Sequence, residues 1–206
     1  MKTKKNSTKQ LIMLAAIELF AKKGYRETSV REIAAASNIT EASMYNHFSS
    51  KNEILSNILD DYAKFGDANF VESEHMAKLQ ANPTPEGILS CMTIVFLQSE
   101  KRHLLELFVL LQEQHRNPVV NAFIRENVIL SAEIRVRLIL QTLIDLKHLS
   151  PDLDMDYWCK IHSSVVYAFA NRTALGLGDY DPEYEGHTMR QLLCITYEIM
   201  FRLHGT

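Results

Sequence analysis

The sequence predicts an all-α protein, and two observations carry that prediction. Only 7 glycines and 5 prolines occur in 206 residues, too few for the many turns of an all-β fold. Apolar residues recur at intervals of three and four along most of the chain, which is the spacing of one face of an α-helix. The hydrophobic fraction of 47% is typical of a folded chain that buries a substantial core.

The formal net charge of -3 conceals an uneven distribution of charge. Residues 1–60 contain nine Lys and Arg against six Asp and Glu, whereas residues 61–206 contain thirteen against nineteen. A basic end joined to an acidic body is typical of a chain that binds its partner through the basic end.

The cysteines and the apolar segments favour a soluble, cytoplasmic protein. Cys91, Cys159 and Cys194 lie far apart without a CxxC or Cys/His cluster, so we expect free thiols rather than disulfides or a zinc site. No signal-peptide pattern follows the basic N-terminus. The most apolar stretch, residues 104–111, is too short to span a bilayer and contains Glu106. We therefore expect no metal, no cofactor and no membrane partner.

The first predicted helix lies near the N-terminus. Ser7 and Gln10 fit a capping box, in which each side chain bonds the backbone of the other residue. Apolar residues follow at helical spacing, and Lys22 and Lys23 stand where cations favour the end of a helix dipole. Gly24 then supplies the residue that commonly ends a helix, so the pattern predicts about four turns.

Two short helices separated by a tight turn are predicted next. Thr28 or Ser29 caps the first of them, and Ser29 with Glu32 forms a second capping box. Residues 37–39 form the turn, and Thr40 caps the following helix. A short helix, a three-residue turn and another short helix make a helix-turn-helix, whose second helix enters the major groove of DNA.

Residues ~8–60 resemble the N-terminal domain of the TetR family of bacterial repressors (boundaries of sequence predictions vary by a few residues). The resemblance rests on residues in register: Ala15, Ala16, Leu19, Phe20, Gly24, Tyr25, Thr28, Val30, Arg31, Glu32, Ile33, Ala34, Ile39, Tyr45, His47, Phe48, Lys51, Ile54 and Leu55. It implies an all-α chain of about nine helices: a three-helix DNA-binding domain, then a larger helical domain for effector binding and dimerisation. It also implies a regulator of transcription and not an enzyme.

The DNA contacts expected from this reading are Thr28, Thr40, Glu41, Ser43, Tyr45, Asn46, His47 and Lys51. Thr40 has a second explanation, because capping alone accounts for it. Tyr45 offers a ring and a hydroxyl to phosphate or to a thymine methyl, and Phe48 suits the core better than Tyr45 does. Lys51 looks like the phosphate-clamping lysine of the family. Lys2, Lys4, Lys5 and Lys9 form either a basic arm on DNA or a solvated tail.

Three residues depart from the common family pattern. Glu41 stands where a basic residue is frequent, Ala42 where glycine is frequent, and Asn46 where a basic residue is often found. A carboxylate at Glu41 either accepts from a cytosine amino group or favours the helix dipole, and Asn46 suits a bidentate contact to adenine. The operator sequence therefore does not follow from family precedent.

The rest of the chain is also predicted to be helical. We divide it into a helix-turn-helix domain, residues 1–52, and a helical effector-binding and dimerisation domain, residues 53–206. Helices are expected in the following ranges after residue 53: 54–65, 85–98, 103–115, 119–146 as one helix or two, 154–175 and 183–203.

The resemblance implies a homodimer formed by the last two helices, which would bind a palindromic double-stranded operator, and a small-molecule effector of unknown identity. Small residues for close helix packing and apolar residues at helical spacing suit this interface: Ser163, Ser164, Ala168, Ala170, Met189, Leu192, Leu193, Thr196 and Met200. Candidate effector residues are Cys91, Phe96, His103, Phe108, Trp158, His162 and Phe169. Ordinary core packing explains such apolar stripes equally well.

The preferred function is a repressor that a small molecule releases from its operator. An α-helical enzyme with an incidental helix-turn-helix is the first alternative, but the sequence has no nucleophile elbow, phosphate loop, HExxH motif or paired carboxylates. A regulator without an effector, and an activator in place of a repressor, are the others.

Overall fold

The computed structural model describes residues 7–68, 73–92, 101–174 and 182–206, and these residues are helical with short connections and no β-strand. The predicted all-α class is confirmed. The helices are α1 (Thr8–Lys23), α2 (Val30–Ala36), α3 (Glu41–Tyr45), α4 (Lys51–Ala68), α5 (Ser73–Ala81), α6 (Pro85–Met92), α7 (Lys101–Glu113), α8 (Pro118–Phe123), a π-helical segment (Ile124–Leu130), α9 (Ser131–Asp145), α10 (Met155–Ala174) and α11 (Pro182–His204).

The predicted helix boundaries near the N-terminus are confirmed. Ser7 and Gln10 form the reciprocal capping box of α1, and Ser29 and Glu32 form that of α2. Gly24 ends α1 with φ +90, a backbone angle that residues with a Cβ rarely adopt. Both boundaries were predictable because a cap involves only residues three or four apart.

The first compact unit comprises residues 1–65 and 100–121. Its core lies between α1, α2, α3 and the first half of α4, where Ile12, Phe20, Ile33, Met44 and Phe48 are almost fully buried. The α7 helix packs along α1 within this unit. The division at residues 52 and 53 stays a prediction.

The second compact unit comprises residues 66–99 and 122–206. Its core is formed mainly by α9, α10 and α11, with α5 and α6 packed against them. Leu79, Ile88, Ile139, Leu140 and Met200 are fully buried there. None of the helices in the described ranges combines the length and apolar character that crossing a membrane requires.

The predicted helix over residues 119–146 is one continuous helical rod with an irregular centre. The α8 helix continues into the π-helical segment and then into α9, and Phe123, Leu130 and Ser131 all keep right-handed helical angles. A π-helical segment inserts extra residues without ending the helix, which explains why the pattern fitted both one helix and two. The α5 helix was not predicted.

Candidate nucleic-acid interface

The turn between α2 and α3 fixes how these two helices cross. The buried Ser37 hydroxyl donates to the Ile33 carbonyl at 2.7 Å, and the Ile39 N–H donates to the Ala34 carbonyl at 3.0 Å. Between them Asn38 adopts φ 59, the left-handed conformation that asparagine tolerates better than most residues. The predicted helix-turn-helix is therefore present.

The α3 helix buries one side and exposes the other. Met44 is fully buried and Phe48 is 1% exposed, whereas Tyr45 is 50% exposed, as predicted for these two aromatic residues. Thr40 caps the helix, because its hydroxyl oxygen accepts from the Ser43 N–H at 3.1 Å. The outward side consists of Glu41, Ala42, Tyr45 and Asn46.

Polar groups on this outward side are available to a ligand. The side chains of Glu41, Tyr45, Asn46 and His47 form no hydrogen bond or ion pair with any residue that the structure describes. Glu41, Tyr45 and Asn46 are exposed and His47 is half-buried. A polar surface of this kind, on a helix held by its opposite face, is what direct reading of DNA bases requires.

Thr28 and Lys51 differ from the other predicted DNA contacts because their polar groups bond the protein itself. Thr28 is 1% exposed, and its hydroxyl donates to the Gly24 carbonyl at 2.9 Å. The Lys51 Nζ donates to the carbonyl oxygens of Tyr25 at 2.7 Å, Thr28 at 2.8 Å and Arg26 at 3.3 Å. Their contacts with DNA stay predictions.

The Lys51 ammonium also lies 4.4 Å from the centroid of the Tyr25 ring, within range of a cation–π interaction. Burial, the largest influence, lowers the pKa of Lys51, although the Glu113 carboxylate favours the charged form. Lys51 thus holds together the connection between α1 and α2. Lysine at this position was predictable, but its three carbonyl partners were not.

We expect Lys51→Met to lower the free energy of unfolding by about 2 kcal/mol, because charge-assisted hydrogen bonds to the backbone are lost. Chemical denaturation measures this loss, and Lys22→Met, which removes an exposed lysine of α1, should change stability by less than about 0.5 kcal/mol. An unchanged stability of Lys51→Met, with a shallower salt dependence of DNA binding, would instead assign Lys51 to a phosphate.

An exposed ion pair connects α2 to the end of α1. The Lys23 ammonium bonds the Glu32 carboxylate, which also accepts from the Ser29 N–H at 2.8 Å. The Lys23 hydrogen bond, followed by those from Ser29, lowers the pKa of Glu32 to about 2. Glu32 therefore stays ionised and serves as a helix cap at neutral pH.

A charged cluster connects α4 to α7 within the first unit. Arg102 donates to Asp61 at 2.6 Å and to Glu106 at 2.7 Å, and His103 Nδ1 lies 3.1 Å from the other Glu106 oxygen. Glu106 is fully buried, and burial is the main cause that raises its pKa, while Arg102 opposes that shift. Sequence reasoning assigned His103 to an effector and missed this cluster.

The other effector candidates lie in different places. Trp158 and His162 are buried in the core of the second unit, with Phe169 packed against it, and Phe108 is half-buried on α7. The Tyr197 hydroxyl lies 2.7 Å from His162 Nδ1, and burial lowers the pKa of His162 to about 4, so its imidazole is neutral at pH 7. The Cys91 side chain and Phe96 lie outside the described residues, as do Lys2, Lys4 and Lys5.

The outer side of α11 carries an exposed apolar stripe. Leu192, Ile195, Ile199 and Leu203 are 44%, 52%, 46% and 68% exposed and follow helical spacing. Of the residues predicted for the dimer interface, Met189, Leu193 and Met200 are buried in the protein's own core, as are Ser163 and Ala170. On α10, Ser164 and Ala168 are exposed. Among the described residues no group of three His, Cys, Asp or Glu side chains is arranged to hold a metal.

The fold and the outward side of α3 define a helix-turn-helix DNA-binding protein. Residues 12–58 match the family model described as "Bacterial regulatory proteins, tetR family". The regulator AcrR of Shigella flexneri is 28% identical over 158 residues, 74% of this chain and 72% of that protein. The repressor KstR2 of Rhodococcus jostii is 38% identical over 114 residues, 50% of this chain and 55% of that protein.

Solved structures agree with the fold over nearly the whole chain. The ketosteroid transcriptional regulator KstR2 of Mycobacterium tuberculosis has a TM-score of 0.65 at 20% identity and covers 98% of this chain and 97% of its own. A TetR-family regulator of Mesorhizobium loti has a TM-score of 0.69 at 16% identity, with 97% of both chains covered. The chain is a transcriptional regulator of the TetR family, a family of regulators and not of enzymes.

Proposed function

We propose that the protein is a homodimeric repressor that binds a palindromic operator through α3. The observation that carries this proposal is the outward side of α3, where exposed polar side chains have no partner in the described residues while Met44 and Phe48 anchor the helix. Such an arrangement supports reading of base edges in the major groove.

The stripe on α11 supports the dimer. Four large apolar residues exposed along one side of a helix are unusual for a surface that stays in water. Pairing of α10 and α11 with the same helices of a second copy would cover the stripe. A two-fold dimer then presents two copies of α3 to half-sites about 34–36 Å apart, or a multiple of that distance.

The proposal includes a small-molecule effector bound by the larger helical domain. Two solved relatives are described as complexes with small molecules, one from Saccharomonospora viridis with choline and SmeT with triclosan. An effector that binds the DNA-free conformation more tightly would lower operator affinity by population shift. Trp158, His162 and Phe169 are the candidates within one core, with His103 and Phe108 on α7.

Selection of duplexes from a random pool by the full chain tests the proposal. We expect enriched sequences with two inverted half-sites about one or two helical turns apart, bound with an affinity that falls steeply with salt. Tyr45→Ala should prevent enrichment. Leu146→Ala, which shortens an exposed apolar side chain after α9, should enrich the same sequences as the unmodified protein. A pool without enrichment, or enrichment unaffected by Tyr45→Ala, would contradict the proposal.

A further inference from the structure

The outward side of α3 has an unusual chemical composition. Glu41, Ala42, Tyr45 and Asn46 lie within an arc of about 140°, because successive helical residues are rotated by about 100°. They supply a carboxylate, a methyl group, a phenol and a primary amide. No lysine or arginine occurs between Asn38 and Ser50, so the side of the helix that faces a ligand has no cationic group of its own.

This composition does not suit guanine. In the major groove guanine presents two acceptors, N7 and O6, and the commonest side chains that read both are arginine and lysine. The Glu41 carboxylate has only acceptors when ionised, so it repels that edge. The Tyr45 hydroxyl is a single donor and cannot satisfy both acceptors.

The same side chains suit adenine and thymine. The amide of Asn46 has a donor and an acceptor in one plane, matching N7 and the N6 amino group of adenine. The Ala42 methyl group and the Tyr45 ring are apolar surfaces for the thymine C5-methyl group. Asn46 makes no hydrogen bond through its side chain within the described ranges, so no internal bond has to break before it binds a base.

We propose that α3 reads the centre of each half-site as A·T pairs, with Asn46 bound to one adenine and Ala42 and Tyr45 against thymine methyl groups. Glu41 adds selectivity by disfavouring guanine beneath it. This inference rests on the proposed function and deepens it by naming the bases that are read.

Base analogues test the inference on the unmodified protein, which avoids any effect on folding. Starting from the selected operator, each adenine of one half-site is replaced in turn by 7-deazaadenine, which lacks N7, and each thymine by deoxyuridine, which lacks the methyl group. Fluorescence anisotropy of the full chain measures affinity. We expect one 7-deazaadenine to weaken binding about 5- to 150-fold, the range for a bidentate contact. We expect about fourfold for a lost methyl contact.

Variants connect each effect to its side chain. In Asn46→Ala the 7-deazaadenine penalty should disappear, whereas in Asn121→Ala, which alters an exposed asparagine of α8, it should remain in full. The deoxyuridine penalty should disappear in Tyr45→Ala at one thymine. Glu41→Gln should reduce the loss caused by guanine at a central position.

The outcomes separate the two proposals. An operator whose central bases are guanines, or analogues that leave affinity unchanged at every central position, would overturn the A·T reading while the regulator still binds DNA specifically. Failure to select any operator would instead remove the proposed function, and the inference with it.

Discussion

Replacing Ile199 by aspartate is expected to convert the dimer into monomers and to weaken operator binding by at least about 100-fold, equivalent to 2.7 kcal/mol or more. Ile199 lies in the middle of the apolar stripe formed by Leu192, Ile195, Ile199 and Leu203. A carboxylate buried there without a partner costs several kcal/mol of association free energy, counted from two symmetric copies. Both half-sites then have to be bound independently.

The fold of each protomer should be unaffected, because Ile199 is 46% exposed within its own chain. Sedimentation gives the oligomeric state and anisotropy gives the operator affinity. Val119→Asp is the matched control, since Val119 is 65% exposed but lies on α8, away from the proposed interface. An Ile199→Asp protein that stays dimeric would place the interface elsewhere. Monomers that bind the operator normally would contradict the dimer requirement.

Replacing Arg102 by methionine is expected to lower the free energy of unfolding by about 3 kcal/mol, because it leaves the Glu106 carboxylate buried without its main partner. Arg102 bonds both Glu106, which is fully buried, and Asp61 on α4. Loss of the guanidinium also removes the influence that lowers the pKa of Glu106, so that pKa should rise further.

The pH dependence identifies the cause. A carboxyl group whose pKa is raised by folding stabilises the protein below its unfolded pKa and loses that contribution as pH rises through the folded value. The deficit of Arg102→Met should therefore be smallest in acid and grow with pH. Denaturant unfolding at several pH values measures it, and adding Glu106→Gln should remove most of the pH dependence.

A surface pair provides the comparison. Arg125 and Glu126 are 66% and 59% exposed, so Arg125→Met should cost only about 0–1 kcal/mol and show little pH dependence. Equal losses for Arg102→Met and Arg125→Met would show that the α4–α7 cluster contributes no more than a surface ion pair.

The sequence was informative where the structure depends on neighbouring residues. The capping boxes of α1 and α2, the end of α1 at Gly24 and the burial of Phe48 in place of Tyr45 all follow from local chemistry or helical periodicity. The family resemblance added the all-α architecture and the class of function. Together they predicted which helix presents side chains to DNA.

What the sequence could not predict depends on residues far apart in the chain. Lys51 bonds carbonyl groups 23 to 26 positions earlier, and Arg102 bonds Asp61 across 41 positions. Helical spacing alone also placed Met189, Leu193 and Met200 in the dimer interface, although the structure buries them within the protomer. The exposed side of α11 could be found only once the packing of α10 and α11 was known.

Binding of the selected operator by the double variant Tyr45→Ala/Asn46→Ala tests the central claim most directly. Titrated by anisotropy at several salt concentrations, the unmodified protein should bind its operator at least about 1,000-fold more tightly than an unrelated duplex. The double variant should keep the weak, salt-sensitive binding common to both duplexes and lose most of the difference between them. An undiminished preference for the operator, in a dimer that folds normally, would show that α3 does not read the DNA.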